Sequence, residues 1–93
     1  MKEIIINDIR YHVLENIREA LNEEELEKKI TDYFQDFDYI VGDWAYGRLR
    51  LKGFNNKQNV NFKQINDIDK VDGYIKEFCA YGCRYFIIAK INT

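Results

Sequence analysis

The chain has 93 residues, of which 46% are hydrophobic and 15% aromatic, a composition typical of one globular domain and not of disordered chains. Its net charge of −2 and its pI of about 5.4 argue against a general polyanion-binding protein. Because it has two cysteines, no secretory signal and no apolar run long enough to cross a membrane, the sequence predicts a cytoplasmic protein with one domain over residues 1–93.

The residue types that common catalytic and metal sites need are scarce. The chain has no serine and one histidine, His12, so a Ser-His-Asp triad cannot be built. His12 and the two cysteines supply at most three soft or imidazole ligands, one short of a closed zinc site. No glycine-rich phosphate-binding motif occurs. We therefore predict no catalytic residue, no metal and no cofactor, and the sequence leans against an enzyme.

The first predicted elements in chain order are a β-hairpin and a helix. Residues 4–6 and 9–14 are β-rich runs separated by Asn7-Asp8, residue types that tolerate the positive φ of a tight turn. Asn22 is a good helix N-cap, and Glu25 completes a capping box. Apolar residues recur at helical spacing after this cap. They predict a helix with the buried face Leu26, Ile30, Tyr33, Phe34 and Phe37.

A second hairpin, a second helix and a final strand follow. Residues 39–43 and 48–54 read as strands joined by a turn at 44–47, and a polar loop covers 55–61. A helix capped near Asn66 or Asp67 and ended by Gly82 is predicted next, and then an interior strand at 84–91. The order ββαββαβ predicts an α+β fold of two layers, with both helices on one face of a mainly antiparallel sheet. The buried face of the second helix is predicted to contain Ile68, Val71, Ile75, Phe78 and Cys79.

Basic residues are concentrated around the second hairpin. Between positions 44 and 66 there is no acidic residue, so this window carries +5 and the rest of the chain −7. Strand alternation puts Arg48, Arg50, Lys52 and Phe54 on one face. A basic row that ends in an aromatic residue can hold a phosphate backbone and stack a base. The commoner arrangement is a solvated face of an antiparallel sheet. The other two bases of the window are Lys57 and Lys63.

Three residues near the predicted turn are further candidates. Trp44 and Tyr46 either fold back over the sheet edge, which is the favoured interpretation, or form a recognition platform. Asp43 could act as a general base, but no histidine or second carboxylate adjoins it in the sequence. An aspartate that opens a hairpin turn more often bonds to backbone N–H groups.

Cys79 and Cys83 are four residues apart and straddle the predicted end of the second helix. Their thiols could form a redox pair or supply two ligands to a metal shared with another chain. Two small, buried hydrophobic residues at a helix–strand junction are the commoner arrangement, because free cysteine is among the most buried residue types.

Two segments of the sequence resemble the YutD-like family of small bacterial proteins. The first is YIVGDWAYGRLRLKGF at residues 39–54, and the second is YIKEFCAYGCRYF at residues 74–86. Arg50 and Lys52 match the family pattern, which often has glutamine at the position of Arg48. The family has no established activity. The resemblance therefore implies an α+β fold and a bacterial cytoplasmic origin, and it transfers no catalytic residue.

The leading hypothesis from the sequence is a non-catalytic protein that contacts RNA or a ribonucleoprotein through a basic and aromatic surface. The alternative is a protein–protein adaptor or a homodimer, with Trp44 and Tyr46 as the anchor and Arg50 at the rim. A small enzyme or a thiol redox protein, which would use Asp43 or the two cysteines, has less support. The surface of the leading hypothesis consists of Trp44, Tyr46, Arg48, Arg50, Lys52 and Phe54.

Overall fold

A five-stranded antiparallel sheet organises the chain, of which the computed structural model describes residues 2–78 and 82–91. Its spatial order is β1-β2-β5-β3-β4, so β1 and β4 are the edge strands. The α+β class and the order ββαββαβ predicted from the sequence are confirmed. The elements are β1 (Glu3–Ile6), β2 (Ile9–Ile17), α1 (Glu23–Lys29), β3 (Tyr39–Ala45), β4 (Arg48–Phe54), α2 (Val71–Phe78) and β5 (Tyr85–Lys90).

Both hairpins close through two-residue turns. Asn7 and Asp8 have φ of 51° and 68°, as the sequence predicted for this pair. In the second hairpin Tyr46 and Gly47 have φ of 53° and 75°. Positive φ at both central residues matches the right-handed twist of the flanking strands. The second turn is therefore shorter than the predicted one at 44–47, and Trp44 belongs to β3.

The two helices cover opposite faces of the sheet and give three layers, whereas the sequence predicted two layers with both helices on one face. Leu26 of α1 packs in a buried cluster with Ile40 and Ile88. Residues of α2 pack on a second cluster, which contains Val41 and Ile87. Because consecutive strand residues point to opposite sides, these clusters lie on opposite faces. We call them the α1 face and the α2 face.

The first helix is shorter than predicted. It ends at Lys29, its C-cap residue Ile30 is extended at φ −75° and ψ 123°, and a short 3₁₀ helix (Asp32–Asp36) follows. The Asn7 side chain donates to the carbonyl of Ile30 (3.3 Å), so a residue of the first hairpin satisfies a helix-end acceptor. Phe37 lies outside the helix, and its ring occupies the position that a Cβ at residue 53 would take, which is free because residue 53 is glycine. A helix continued to Phe37 could not make either contact.

Two short 3₁₀ turns, Gln64–Asn66 and Ile68–Lys70, precede the second helix. The predicted cap Asp67 belongs to the second of these turns, where its side chain accepts from the amide of Asp69. Gly82 has the positive φ, 78°, that suits a residue after a helix. Cys79 of the predicted buried face lies outside the described residues. No helix in the described part of the chain is long and apolar enough to span a membrane.

The polar segment after β4 is held by a network around Asn55, which is fully buried. The Asn55 carboxamide oxygen accepts from the Asp38 amide (2.8 Å) and the Asn59 side chain (3.0 Å). Its backbone N–H donates to Asn66 (2.7 Å), and its carbonyl accepts from Ile68 (3.1 Å). The asparagine side chain can fill this role because its carboxamide supplies both donors and acceptors. This network fixes the segment against the end of β4.

Replacing Tyr11 with phenylalanine is expected to raise the free energy of unfolding by about 1 kcal/mol. The Tyr11 hydroxyl is buried and has no hydrogen-bond partner among the described residues, so its loss removes a desolvation cost. Burial also raises the pKa of Tyr11, so the unfolded chain ionises first and the native protein loses stability above about pH 10. Urea denaturation at pH 7 and pH 11 measures both effects, with the exposed Tyr33→Phe as control. A Tyr11→Phe protein less stable than the parent at pH 7 would contradict this assignment.

Candidate functional site

The strand that carries the predicted basic row, β4, lies at the edge of the sheet. Because the hairpin has a two-residue turn, Arg48, Arg50, Lys52 and Phe54 direct their backbone groups to β3. The intervening residues Leu49, Leu51 and Gly53 therefore direct theirs away from the sheet. No protein group in residues 2–78 and 82–91 bonds to them. We call this row of outward backbone groups the β4 edge.

Within the basic row, only Arg48 is without a partner in the described part of the chain. Arg50 bonds through Nε to Asp43 Oδ1 (2.7 Å) and through Nη2 to the carbonyl of Phe78 (3.1 Å). The Lys52 ammonium lies 5.0 Å from the centre of the Phe54 ring, a cation–π contact. Phe54 itself is buried under α2. Arg50, Lys52 and Phe54 of this row are therefore already engaged in contacts within the fold.

The acid that pairs with Arg50 stands one residue before the acid-free window. Asp43 lies directly opposite Arg50 in the register of β3 and β4, and its side chain is 4% exposed against 47% for Arg50. The hydrogen bond that the Arg50 guanidinium donates to the Asp43 carboxylate raises the pKa of Arg50. Asp43 is therefore a cross-strand partner in a strand, and the predicted turn-capping role is wrong. A second base of the window, Lys57, pairs with Asp69 at 3.4 Å.

The structure separates the two predicted aromatic anchors. Trp44 packs on the α1 face, where its indole N–H donates to the carbonyl of Ala20 (2.7 Å) and the Arg84 guanidinium lies 5.2 Å from its ring. This is the packing interpretation that the sequence favoured. Tyr46 stands at the hairpin tip and is fully exposed, at 104%. Trp44 and the basic row lie on opposite faces and do not form one surface.

The remaining candidates lie away from β4 or outside the description. His12 is half-buried in β2 opposite Ala89, and its Nδ1 has no partner among the described residues. Cys83 lies before β5 and is not a free thiol. Cys79 is outside the described residues, so the structure gives no geometry for a redox pair. No group of three or more metal-ligating side chains occurs in residues 2–78 and 82–91.

In the described part of the chain at least three grooves border β4, and none of them was predicted from the sequence. A groove at the hairpin tip has a volume of about 710 Å³ and is lined in part by Lys29, Tyr46 and Arg48. One on the α1 face has about 420 Å³, and one on the α2 face about 450 Å³. Together they present six cations and two carboxylates, so the surface is basic. The cations are Lys29, Arg48, Arg50, Lys52, Lys63 and Lys70, and the carboxylates are Asp36 and Glu77.

Comparison with known proteins gives one consistent result. A family model described as "Putative antitoxin YutD-like" matches residues 5–89. A Bacillus subtilis (strain 168) protein named "Putative antitoxin YutD" is 40% identical over 89 residues, which are 96% of this chain and 98% of the relative. The solution NMR structure of yutD from B. subtilis aligns with a TM-score of 0.81 and 38% identity, and the alignment covers 100% of this chain and 84% of that one.

Proposed function

Because this chain belongs to the YutD-like family, we propose that it is a non-catalytic protein that binds a partner protein, in the manner of an antitoxin, at the tip and edge of its second hairpin. The name of the B. subtilis relative, "Putative antitoxin YutD", implies a target that is controlled by binding. This proposal develops the adaptor hypothesis drawn from the sequence, with Tyr46 as its anchor and without Trp44.

One observation carries the proposal, namely the full exposure of Tyr46 at the hairpin tip. A two-residue turn presents this large amphipathic side chain, and tyrosine has only two χ angles, so its fixation on binding has a low entropic cost. Arg48 and Lys29 line the same groove. Tyrosine and arginine are the residue types enriched at the centres of protein interfaces, which supports a protein as the partner.

The competing RNA hypothesis has less support at this surface. Stacking of a base needs an accessible aromatic face, and Phe54 is buried under α2. Arg50 is engaged by Asp43, which lowers the charge available to a phosphate backbone. Arg48, Lys63 and Tyr46 remain accessible, so RNA is kept as a distinct outcome of the experiment.

A photo-crosslinking amino acid at position 46 is expected to capture a discrete protein partner in B. subtilis cells. The matched control places the same amino acid at Val60, which is 97% exposed and lines none of the three grooves. With the captured partner, Tyr46→Ala is expected to weaken binding about 10- to 30-fold, the effect of losing an interface hot spot. Calorimetry of the purified pair measures this change.

The crosslinked material distinguishes the hypotheses. A protein adduct at position 46 that is absent at position 60 supports the proposal. An adduct removed by ribonuclease assigns the surface to RNA, and an adduct of twice the chain's own mass assigns it to a homodimer. Equal labelling from both positions, or labelling from neither, would reject a partner site at Tyr46.

A further inference from the structure

We propose that the partner docks on the β4 edge as an added β-strand, and that the docking segment is extended and acidic. This inference rests on the proposed function, because it specifies how the partner meets the same hairpin. The β4 edge is the row of outward backbone groups at Leu49, Leu51 and Gly53 defined above.

The backbone pattern at the β4 edge selects a polypeptide. Each of its three residues offers one N–H donor and one C=O acceptor, repeated about every 6.7 Å along the strand. A guest strand satisfies these groups in full, as in other complexes formed by strand addition. A nucleic acid backbone offers phosphate acceptors and, in RNA, 2′-hydroxyl donors, but these do not alternate in one plane as the N–H and C=O groups of a strand do.

The chain itself already uses the next position of this row. Asn55, two residues after Gly53, bonds through its N–H to Asn66 and through its carbonyl to Ile68. These bonds form a short parallel bridge between Asn55 and Asp67. The outer side of β4 therefore accepts a strand partner at Asn55, and a guest of about five residues would continue that pairing towards the hairpin tip.

Side chains on both faces of a guest strand would find apolar surface. Tyr33 and Phe37 line the groove on the α1 face, and Ile65 lines that groove and the one on the α2 face. Phe78 lies in the groove on the α2 face. Tyr33, Ile65 and Phe78 are all exposed in the chain alone. Alternate side chains of an extended segment point to opposite faces, so one guest strand reaches both grooves.

The positive charge of this surface favours a partner segment that carries negative charge. The grooves hold six cations, of which Arg50 is paired with Asp43, against two carboxylates, and Arg48 at the tip has no acidic partner in the described residues. Basic residues on an edge strand also serve to prevent strand addition. If the basic residues only prevent strand addition, an added strand should not slow hydrogen exchange of the β4 edge amides. If they serve docking, an acidic strand should slow that exchange. The experiment below separates the two.

The probe is a synthetic eight-residue peptide that alternates glutamate with valine, titrated into the ¹⁵N-labelled full chain at low salt. We expect a dissociation constant of about 0.1–1 mM, since a generic peptide lacks the partner's own contacts. At saturation, hydrogen exchange of the Leu49, Leu51 and Gly53 amides should slow at least tenfold. A peptide with lysine for glutamate, and a glutamate peptide N-methylated at every residue, should each bind at least tenfold more weakly.

Charge reversal tests the same surface from the protein side. Arg48→Glu is expected to weaken the glutamate–valine peptide at least tenfold. Lys76→Glu makes the same charge change on an exposed residue of α2 that lines none of the three grooves, and it should change binding less than threefold. Both positions are exposed, so both variants should fold.

Binding without slower exchange at the β4 edge would overturn the inference and leave the cations in a protective role. Absence of binding at 1 mM peptide, tighter binding of an oligouridine, or amide protection that grows with protein concentration alone would overturn it as well. The proposed function fails separately, if position 46 captures no protein. A captured partner together with a negative peptide result would mean that the partner binds by another mode.

Discussion

Alanine at position 42 is expected to lower the free energy of unfolding by about 2–3 kcal/mol, although the change adds a single methyl group. The Cβ of an alanine at this position would overlap the ring of Phe86, which lies across Gly42 on the neighbouring strand β5. Phe86 is completely buried in the cluster on the α1 face, so its ring cannot move without displacing the core. Overpacking of a close-packed core costs free energy in this range.

Gly73→Ala is the matched control, and the sign of its effect should be opposite. Gly73 lies within α2, and a Cβ there would meet nothing within 4 Å. Alanine in a helix interior is favoured over glycine by about 0.5–1 kcal/mol, partly because it restricts the unfolded chain. Urea denaturation followed by circular dichroism measures both variants. Equal effects would mean that Phe86 can repack, and that the close approach at Gly42 is not needed.

Local sequence signals predicted the elements well because the forces that form them are local. The Asn7-Asp8 turn, the Asn22 cap and the period-2 alternation of β4 each depend on neighbouring residues. The C-terminal end of α1 depends on a distant residue, since the Asn7 side chain, 23 positions away, donates a hydrogen bond to the carbonyl of Ile30. No periodicity within residues 22–37 contains that information.

The sequence contains a signal that the two helices lie on opposite faces of the sheet. Residues 40 and 41 in β3, and residues 86–88 in β5, are apolar at consecutive positions and are buried. A strand that is apolar on both sides needs cover on both faces. The final strand was predicted to be an interior strand, yet both helices were predicted on one side. Two helices of seven and eight residues divided between two faces meet that requirement.

The sequence predicted which strand carries the candidate site, but not which residues contact one another there. Alternation in β4 correctly grouped Arg48, Arg50 and Lys52. The partner of Arg50 was hidden because charge was counted along the chain, whereas Asp43 meets Arg50 across the hairpin. The edge position of β4 follows from the strand order, in which β5 lies between β2 and β3. Strand order depends on long-range contacts, which the sequence of a single chain does not display.

Arg50→Ala is expected to lower the free energy of unfolding by about 2 kcal/mol, more than Asp43→Ala. The truncation leaves the buried Asp43 carboxylate without its cationic partner, and an unpaired buried charge is costly. The loss is less than for a fully buried pair, because the Arg50 guanidinium is half-exposed and solvent screens it. After Asp43→Ala the guanidinium can be hydrated, so that variant should lose only about 1 kcal/mol.

The double variant completes a thermodynamic cycle that separates a structural pair from a binding residue. If the two side chains act as a pair, the Asp43→Ala/Arg50→Ala protein should be about 1 kcal/mol more stable than the sum of the single losses implies. Additive losses would contradict the pairing. Lys63→Ala serves as the control, since Lys63 is exposed and has no ion-pair partner in the described residues, and its stability should not change. A coupled pair commits Arg50 to holding β3, β4 and the end of α2 together through its bond to Phe78. In the proposed function, recognition of the partner at this hairpin then rests on Tyr46, Arg48 and the unpaired backbone groups of β4.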